Sequence, residues 1–380
     1  MNFDLTEDQK LVQEAVADMA QTEIAPLAAQ ADLDHQLSKK VLEQLTAMEL
    51  WGGPFDPKWG GAGLDYLSYV LVIEELSRAC ASTGVLVAAH CSLACSPIAT
   101  FGSDPQKERF LAPMVKGEKI GSFLLTEAGA GSDVAALSSK CVDRGDHFEV
   151  SGSKQFITNG GYLGYGVLFA TTDRALGAKG INAFLVDLSD KAVCLTKNED
   201  KLGIRGSYTS AFSFDGLKIP KDQLLGEPGE GFHIAMETLN GGRISIAAQA
   251  IGIGQAALDM AVAYSQERVQ FGRSIGRFGA IQEKLADMSS QLEAARLITY
   301  KAAWAKDQGK LTPKDSATAK LLASKAATFC ADQCLQIHGG YGYITESGVE
   351  RLFRDARITE IYEGTSEIQK IVIAKALSHS

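Results

Sequence analysis

The chain has 380 residues, of which 46% are hydrophobic and 22% charged, with a formal net charge of −9 at pH 7. That length exceeds what one compact core serves, so two or three domains are expected. The acidic balance and the ordinary globular composition exclude nucleic acid, an anionic membrane surface or a disordered role as the main theme.

Seven scattered cysteines read as reduced thiols of a cytoplasmic protein rather than a disulfide framework. The opening Met1-Asn-Phe-Asp-Leu-Thr-Glu has no basic stretch before an apolar core, so no signal peptide is expected. No apolar run is expected to reach membrane-spanning length.

In chain order, Thr6 to Gln9 forms a capping box ahead of a helix carrying Val12, Val16 and Met19. Ser38 is placed to cap a second helix with Val41, Leu42, Leu45 and Met48. A glycine-rich loop from Gly52 to Gly63 leads to a third helix through Leu67, Val70 and Leu71. From Ala79 to Ser103 there is no Asp, Glu, Lys or Arg, which predicts a nearly buried helix. Asp104-Pro105 begins a fourth.

Near Ile120 the pattern turns strand-like, at Ile120–Leu125, His147–Val150, Gln155–Thr158, Val167–Thr171, Ile181–Val186 and Ala211–Phe214. After Gly231 helical periodicity returns, over Ile244–Tyr264, Ile281–Ala295, Ser316–Leu335 and from about Ser366. The expected fold is a multidomain α+β chain: an N-terminal helical domain over 1–119, a middle antiparallel, barrel-like β domain over 120–226, and a C-terminal four-helix bundle over 227–380.

Four places offer chemistry, each with an ordinary alternative. Glu363 follows apolar Ile361 and Tyr362 and precedes Gly364, Thr365 and Ser366. A carboxylate in an apolar setting can act as a base, yet the same residues also spell a helix start with Thr365 or Ser366 as cap. Leu125 to Asp133 is a Gly- and hydroxyl-bearing loop able to approach a ring or phosphate. It lacks the third glycine and the following helix of a dinucleotide fingerprint, so it reads equally as a plain β-loop. Gln155 to Gly161 sets an aromatic beside a hydroxyl, which suits ring stacking or a core strand end. Arg243 and Arg268 suit an anion or simple solvation. His90 with Cys91 and Cys95, and Cys330 with Cys334, are expected in the core rather than on a metal.

Taken in order, Leu125-Thr-Glu-Ala-Gly-Ala-Gly-Ser-Asp133, Phe156-Ile-Thr-Asn-Gly160, Gln336-Ile-His-Gly-Gly-Tyr-Gly342 and Tyr362-Glu-Gly-Thr-Ser-Glu367 resemble the acyl-CoA dehydrogenase family. The resemblance runs from Phe3 to the last helix. It is nearest the short-chain or butyryl-CoA branch, notably at Asp200–Arg205, Gly226–Gly229 and Arg354–Glu367.

It implies a homotetramer holding FAD noncovalently, an acyl-CoA substrate, and electrons passed to an electron-transfer flavoprotein. Phe123, Leu125, Thr126, Gly131, Ser132, Phe156, Ile157 and Thr158 would then hold the flavin. Arg268 and Phe271, with Gln336, Ile337, His338, Gly339 and Gly340 of a neighbouring chain, would hold the adenine and pyrophosphate half. Thr365, Ser366 and Glu367 would add further FAD contacts. Ser132, Asn240, Arg243 and Gly364 match acyl-CoA-contacting positions. No metal is implied.

The resemblance further implies α,β-dehydrogenation to the trans-2-enoyl-CoA, with Glu363 as base and hydride passing to flavin N5. The thioester carbonyl would be polarised by the base residue's own N–H and a ribityl hydroxyl. Some branches carry the base at the position of Gly242, which has no side chain to serve. Three departures stand out: Gly279 after Phe278 where Gln is usual, Asn240 where Asp is common, and Phe156 where Trp is frequent.

The charge-free Ala79–Ser103 stretch, with Gly84 where dicarboxylyl relatives need a cation, argues against a dicarboxylyl substrate, and the resemblance to the short-chain branch implies a short uncharged acyl chain such as butyryl. A branched or alicyclic acyl group is the nearest alternative. An oxygen-using oxidase or a non-catalytic CoA-binding scaffold are alternatives of a different class.

Overall fold

A computed structural model describes residues 4–378; Met1 to Phe3, where the opening reading and the resemblance begin, lie outside the described residues. The N-terminal part is helical: α1 (Glu7–Met19), α2 (Ala28–Asp34), α3 (Lys39–Ala47), α4 (Tyr66–Ala79), α5 (Ala81–Ala88), α6 (Ser96–Phe101), α7 (Asp104–Gln106) and α8 (Ala112–Val115). Thr6 closes the expected capping box with Gln9. Ser38 occupies the cap position of α3 but accepts no hydrogen bond there, so its side chain does not do the capping expected of it.

The charge-free stretch is buried almost throughout, though not as one regular helix. Extended Cys80 separates it from α4, and a π-helical segment, Ala89–Cys95, joins α5 to α6. His90 is fully buried within that segment, its Nδ1 accepting the Gly121 N–H at 2.9 Å.

Eight strands follow: β1 (Ser122–Leu124), β2 (Lys140–Asp143), β3 (His147–Thr158), β4 (Tyr165–Thr171), β5 (Ile181–Asp187), β6 (Val193–Asn198), β7 (Thr209–Pro220) and β8 (Leu224–Leu225). They form one sheet in the order β6-β7-β3-β2-β4-β5-β8, with β1 also on β4. The long pairings are antiparallel, while β1–β4 and the single β2–β4 bridge are parallel. Phe148, Val150, Phe212, Phe214 and Phe184 fill a second core under this sheet, separate from the helical one.

The C-terminal part begins with α9 (Gly231–Glu267), 37 residues long and starting well before the expected Ile244. Its glycines allow close packing. A Cβ on Gly252 would lie 2.3 Å from the Glu74 carbonyl of α4, and one on Gly254 would lie 2.9 Å from Leu292. A short hairpin of β9 (Val269–Gln270) and β10 (Arg273–Ser274) leads to α10 (Gly279–Asp307) and α11 (Pro313–His338). Next come α12 (Val349–Arg357), which the periodicity did not anticipate, and α13 (Ser366–Ser378). α9, α10 and α11 pack together, and α13 lies against α11.

The expectation that no apolar run is long enough to span a membrane is corrected. The continuous helical run Ala81–Phe101 and α9 both meet the length and hydropathy of a span. Their apolar residues are spent inside the fold, with 78% and 61% of the respective windows buried.

Candidate active site

Glu363 sits in the bend between the turn Ile358–Glu360 and α13. Its φ of +51° is left-handed, and Gly364 follows at φ +90°. A non-glycine residue in that region costs about 1–3 kcal/mol unless its surroundings hold it there. They do: Gln369 Nε2 donates to the Glu363 carbonyl at 3.1 Å and to the Gly364 carbonyl at 2.7 Å. Lys320 Nζ, from α11, donates to the Gly364 carbonyl at 2.8 Å. The bend turns the carboxylate onto α9, where a Cβ on Gly242 would stand 2.0 Å from Glu363 Oε2 and 2.8 Å from Leu93. The absence of a side chain at Gly242 is therefore what gives the carboxylate its space.

Glu363 Oε2 is buried without a hydrogen-bond partner, as is Arg243 Nε on the next position of α9. An unpartnered buried polar atom in a folded protein calls for a functional explanation. Burial pushes the Glu363 carboxyl up to about 8, with the positive charges of Lys320 and Arg243 pulling the other way. Arg243 is itself buried, and its Nη1 donates to Asn240 Oδ1 at 2.9 Å. Tyr66, from α4, donates to the Gly241 carbonyl at 3.0 Å. Deeper in, the Tyr362 hydroxyl donates to Gln249 Oε1, and Gln249 Nε2 donates to the Ala81 carbonyl at 3.1 Å.

The loop after β1 is held from below. Buried Lys154 pairs with Glu127 at 2.7 Å and donates to the Leu125 carbonyl at 3.2 Å. Glu127 also accepts the Ser138 N–H and hydroxyl and the Ser139 N–H, at 2.6, 2.7 and 3.0 Å. Burial alone would raise the Glu127 carboxyl, but the Lys154 charge and these donors bring it down to about 2. Above this base the loop is open: Gly131 and Ser132 are exposed, and a Cβ on Gly129 or Gly131 would meet nothing within 4 Å.

Leu125 is buried, Thr126 accepts the Gln155 N–H at 2.9 Å, and half-buried Phe123 packs edge-on against Phe169. A register shift in β3 between Lys154 and Ile157 puts Phe156 on a bulge, at φ +60° and 58% exposed, between half-buried Gln155 and buried Ile157. Thr158 is half-buried beside Asn159, whose Nδ2 donates to the Leu86 and Gly121 carbonyls and so ties the sheet to α5.

A second concavity of about 410 Å³ lies at the other end of the C-terminal helices. Arg268, Ile337, His338, Gly339 and Gly340 line it, with Tyr264 and Tyr341. The His338 ring stacks on Tyr264 with centroids 4.1 Å apart, and the Arg268 guanidinium lies over Tyr341. Gln336 is exposed on α11 outside that lining, and Phe271 stands 93% exposed at the tip of the β9–β10 hairpin. Thr365 Oγ1 accepts the Ile368 N–H, so the helix-start reading holds for the residues after Glu363. Ser366 Oγ is buried and unpartnered, while Glu367 is exposed.

Three family models cover nearly the whole chain: acyl-CoA dehydrogenase N-terminal domain over 6–118, middle domain over 122–217, and C-terminal domain over 229–378. The chain belongs to the acyl-CoA dehydrogenase family. It is 49% identical over 379 residues to the human mitochondrial short-chain specific acyl-CoA dehydrogenase, covering 100% of this chain and 92% of that one. Butyryl-CoA dehydrogenase from Megasphaera elsdenii superposes with a TM-score of 0.97 at 43% identity over 100% of both chains. A chain solved in work on the electron transferring flavoprotein of Acidaminococcus fermentans superposes with a TM-score of 0.98, at 43% identity and full coverage of both. As an acyl-CoA dehydrogenase, the chain is an FAD-dependent oxidoreductase acting on CH–CH bonds.

The residues present fit FAD. The open glycine loop, the outward Phe156 and the exposed Phe271 offer backbone and ring surface, and the Arg268 cavity offers a cation beside glycine N–H groups. Of the three departures, Gly279 opens α10 with free space around its Cβ position, and Asn240 still pairs with Arg243. Phe156 presents its ring on the bulge.

Sequence reasoning passed over Lys154, Lys320, Gln249 and Gln369. Two left a trace. Lys154 shares the inward parity of Phe148 and Val150 on β3, and Lys320 falls on the apolar stripe of Ser316, Ala317, Ala323 and Ser324.

Proposed function

We propose that this enzyme dehydrogenates a short, uncharged acyl-CoA thioester to the trans-2-enoyl-CoA, with Glu363 removing the α-proton. The observation that carries this reading is the buried, unpartnered Oε2 of Glu363 in the space left by Gly242. Burial makes this carboxylate a stronger base than one in water, and no donor among the described residues holds its Oε2. The Glu363 N–H makes no hydrogen bond among the described residues and remains available to a substrate carbonyl, whose polarisation acidifies the α-carbon. Bound FAD supplies the acceptor for the hydride that leaves the β-carbon.

Phe123, Leu125, Thr126, Gly131, Ser132 and Phe156 to Thr158 serve the flavin end. Arg268, Phe271 and Gln336 to Gly340 serve the adenine end, and Thr365 to Glu367 add to the cofactor site. Ser132, Asn240, Arg243 and Gly364 serve the acyl-CoA.

A short acyl chain is supported by the Tyr362–Gln249–Ala81 bridge, which ties the residue before the base to α9 and α5. Gln249 lies about two turns, or roughly 10 Å, along α9 from Gly242. The relatives named for short-chain and butyryl substrates support the same reading. The electron-transferring-flavoprotein structure supports a flavoprotein electron acceptor.

A homotetramer is proposed from the family to which the chain belongs, with domain divisions at 119/120 and 226/227, which the gaps between the three family matches support. A cytoplasmic location is also proposed, on the reduced cysteines. A panel of acyl-CoA esters assayed with an artificial electron acceptor tests the substrate reading. kcat/KM peaks at four carbons, and a peak at octanoyl or on glutaryl overturns it.

A further inference from the structure

Lys320 is fully buried in the middle of α11, among Ser316, Ala317, Ala323 and Ser324. Moving an ammonium out of water into such a place is expensive unless nearby groups answer it. Among the described residues its Nζ donates to the Gly364 carbonyl, at 2.8 Å. That carbonyl also receives Gln369 Nε2, which reaches the Glu363 carbonyl as well. The two side chains thus grip the left-handed Glu363–Gly364 backbone, the part of the chain that sets where both the Glu363 carboxylate and its N–H point.

We infer that Lys320 is a positioning residue for the base: from α11 it holds the carbonyl that follows Glu363 and supplies a positive charge that favours the ionised carboxylate. This rests on Glu363 being the base. Other groups face the same space from each neighbouring element. Arg243 does so from α9 and Tyr66 from α4, Tyr362 adjoins Glu363, and Glu360 and Glu367 act on Lys320. Arg243 already spends Nη1 on Asn240, whereas the Lys320 charge is committed to this bend. Burial brings the Lys320 ammonium down to about 8, with Glu363 opposing that shift most strongly.

The test is the pH dependence of kcat/KM for the FAD-loaded full chain with butyryl-CoA and an artificial acceptor. In Lys320→Met the acid limb moves up by about one pH unit, so kcat/KM falls about tenfold at pH 7 and comes within about twofold of the parent by about pH 9. Lys320→Gln, which keeps a neutral donor for Gly364, shows the same displaced limb and carries the test if the Met variant does not fold. A limb that stays in place overturns the inference, whether activity is kept or falls equally at every pH, since a merely structural lysine gives the latter. Turnover in Glu363→Gln within tenfold of the parent refutes the base itself. An inactive Glu363→Gln beside an unmoved limb in Lys320→Met refutes only the lysine.

Discussion

Gly242→Ala isolates the geometry of the base from the stability of the fold. The added Cβ lands 2.0 Å from Glu363 Oε2, 2.9 Å from its Cδ and 2.8 Å from Leu93 Cδ2. Non-bonded atoms do not approach that closely, so the carboxylate must retreat by roughly 1 Å or more. A misplacement of that size costs about a hundredfold in rate, or about 2.7 kcal/mol of transition-state stabilisation. Stability moves much less. Alanine gains about 1 kcal/mol over glycine inside a helix, against an overpacking cost of about 1–3 kcal/mol. Steady-state kinetics with butyryl-CoA, a thermal melt and the flavin-to-protein absorbance ratio read the three quantities separately. The expected result is a loss of about a hundredfold or more in kcat/KM, at nearly unchanged melting temperature and flavin content. A variant within threefold of the parent in kcat/KM would falsify the claim that Gly242 makes room for the base.

Glu363→Gln removes the proton acceptor, and turnover drops by about three orders of magnitude or more while FAD is retained. The same variant reports on the cost of the charge. The folded carboxyl, at about 8, holds its proton more tightly than the free value of 4.5. Ionisation therefore destabilises the fold progressively as pH rises from about 4.5 through about 8, by at most on the order of 5 kcal/mol. Thermal melts of parent and variant coincide near pH 5, and the variant melts higher at pH 8.5; a gap independent of pH contradicts the raised carboxyl. Lys154→Met strands the Glu127 charge beneath the loop that precedes Ser132, at a cost of about 3–5 kcal/mol. Urea unfolding shifts accordingly and the purified protein loses flavin colour. Adding Glu127→Gln restores part of both, and additive losses in the double variant argue against a coupled pair.

The sequence by itself determined the layout of helices, then strands, then helices. Those patterns are local: period-two alternation in His147–Val150 and steps of three and four in Ile281–Ala295 need no knowledge of distant neighbours. It also carried the family, because Leu125–Asp133, Phe156–Gly160, Gln336–Gly342 and Tyr362–Glu367 are each contiguous. From its residues alone Glu363 stayed open between a base and a helix start; the helix start is observed from Thr365 onward, and the base is the role proposed for Glu363.

What only the tertiary structure decided is why this carboxylate is unusual. Its space comes from Gly242 on α9, its backbone is gripped by Lys320 on α11 and Gln369 on α13, and the residue before it is tied through Gln249 to the Ala81 carbonyl. Gly242 and Lys320 lie far from Glu363 in the chain, and nothing local in the sequence says that they meet it. The breaks in the charge-free Ala79–Ser103 stretch were hidden for the same reason. An extended Cys80 and a π-helical turn are chosen by packing against the β1 entry and α9, while the composition favours an unbroken helix. Glu363 stands apart from an ordinary carboxylate because the fold buries one of its oxygens and leaves that atom without a donor.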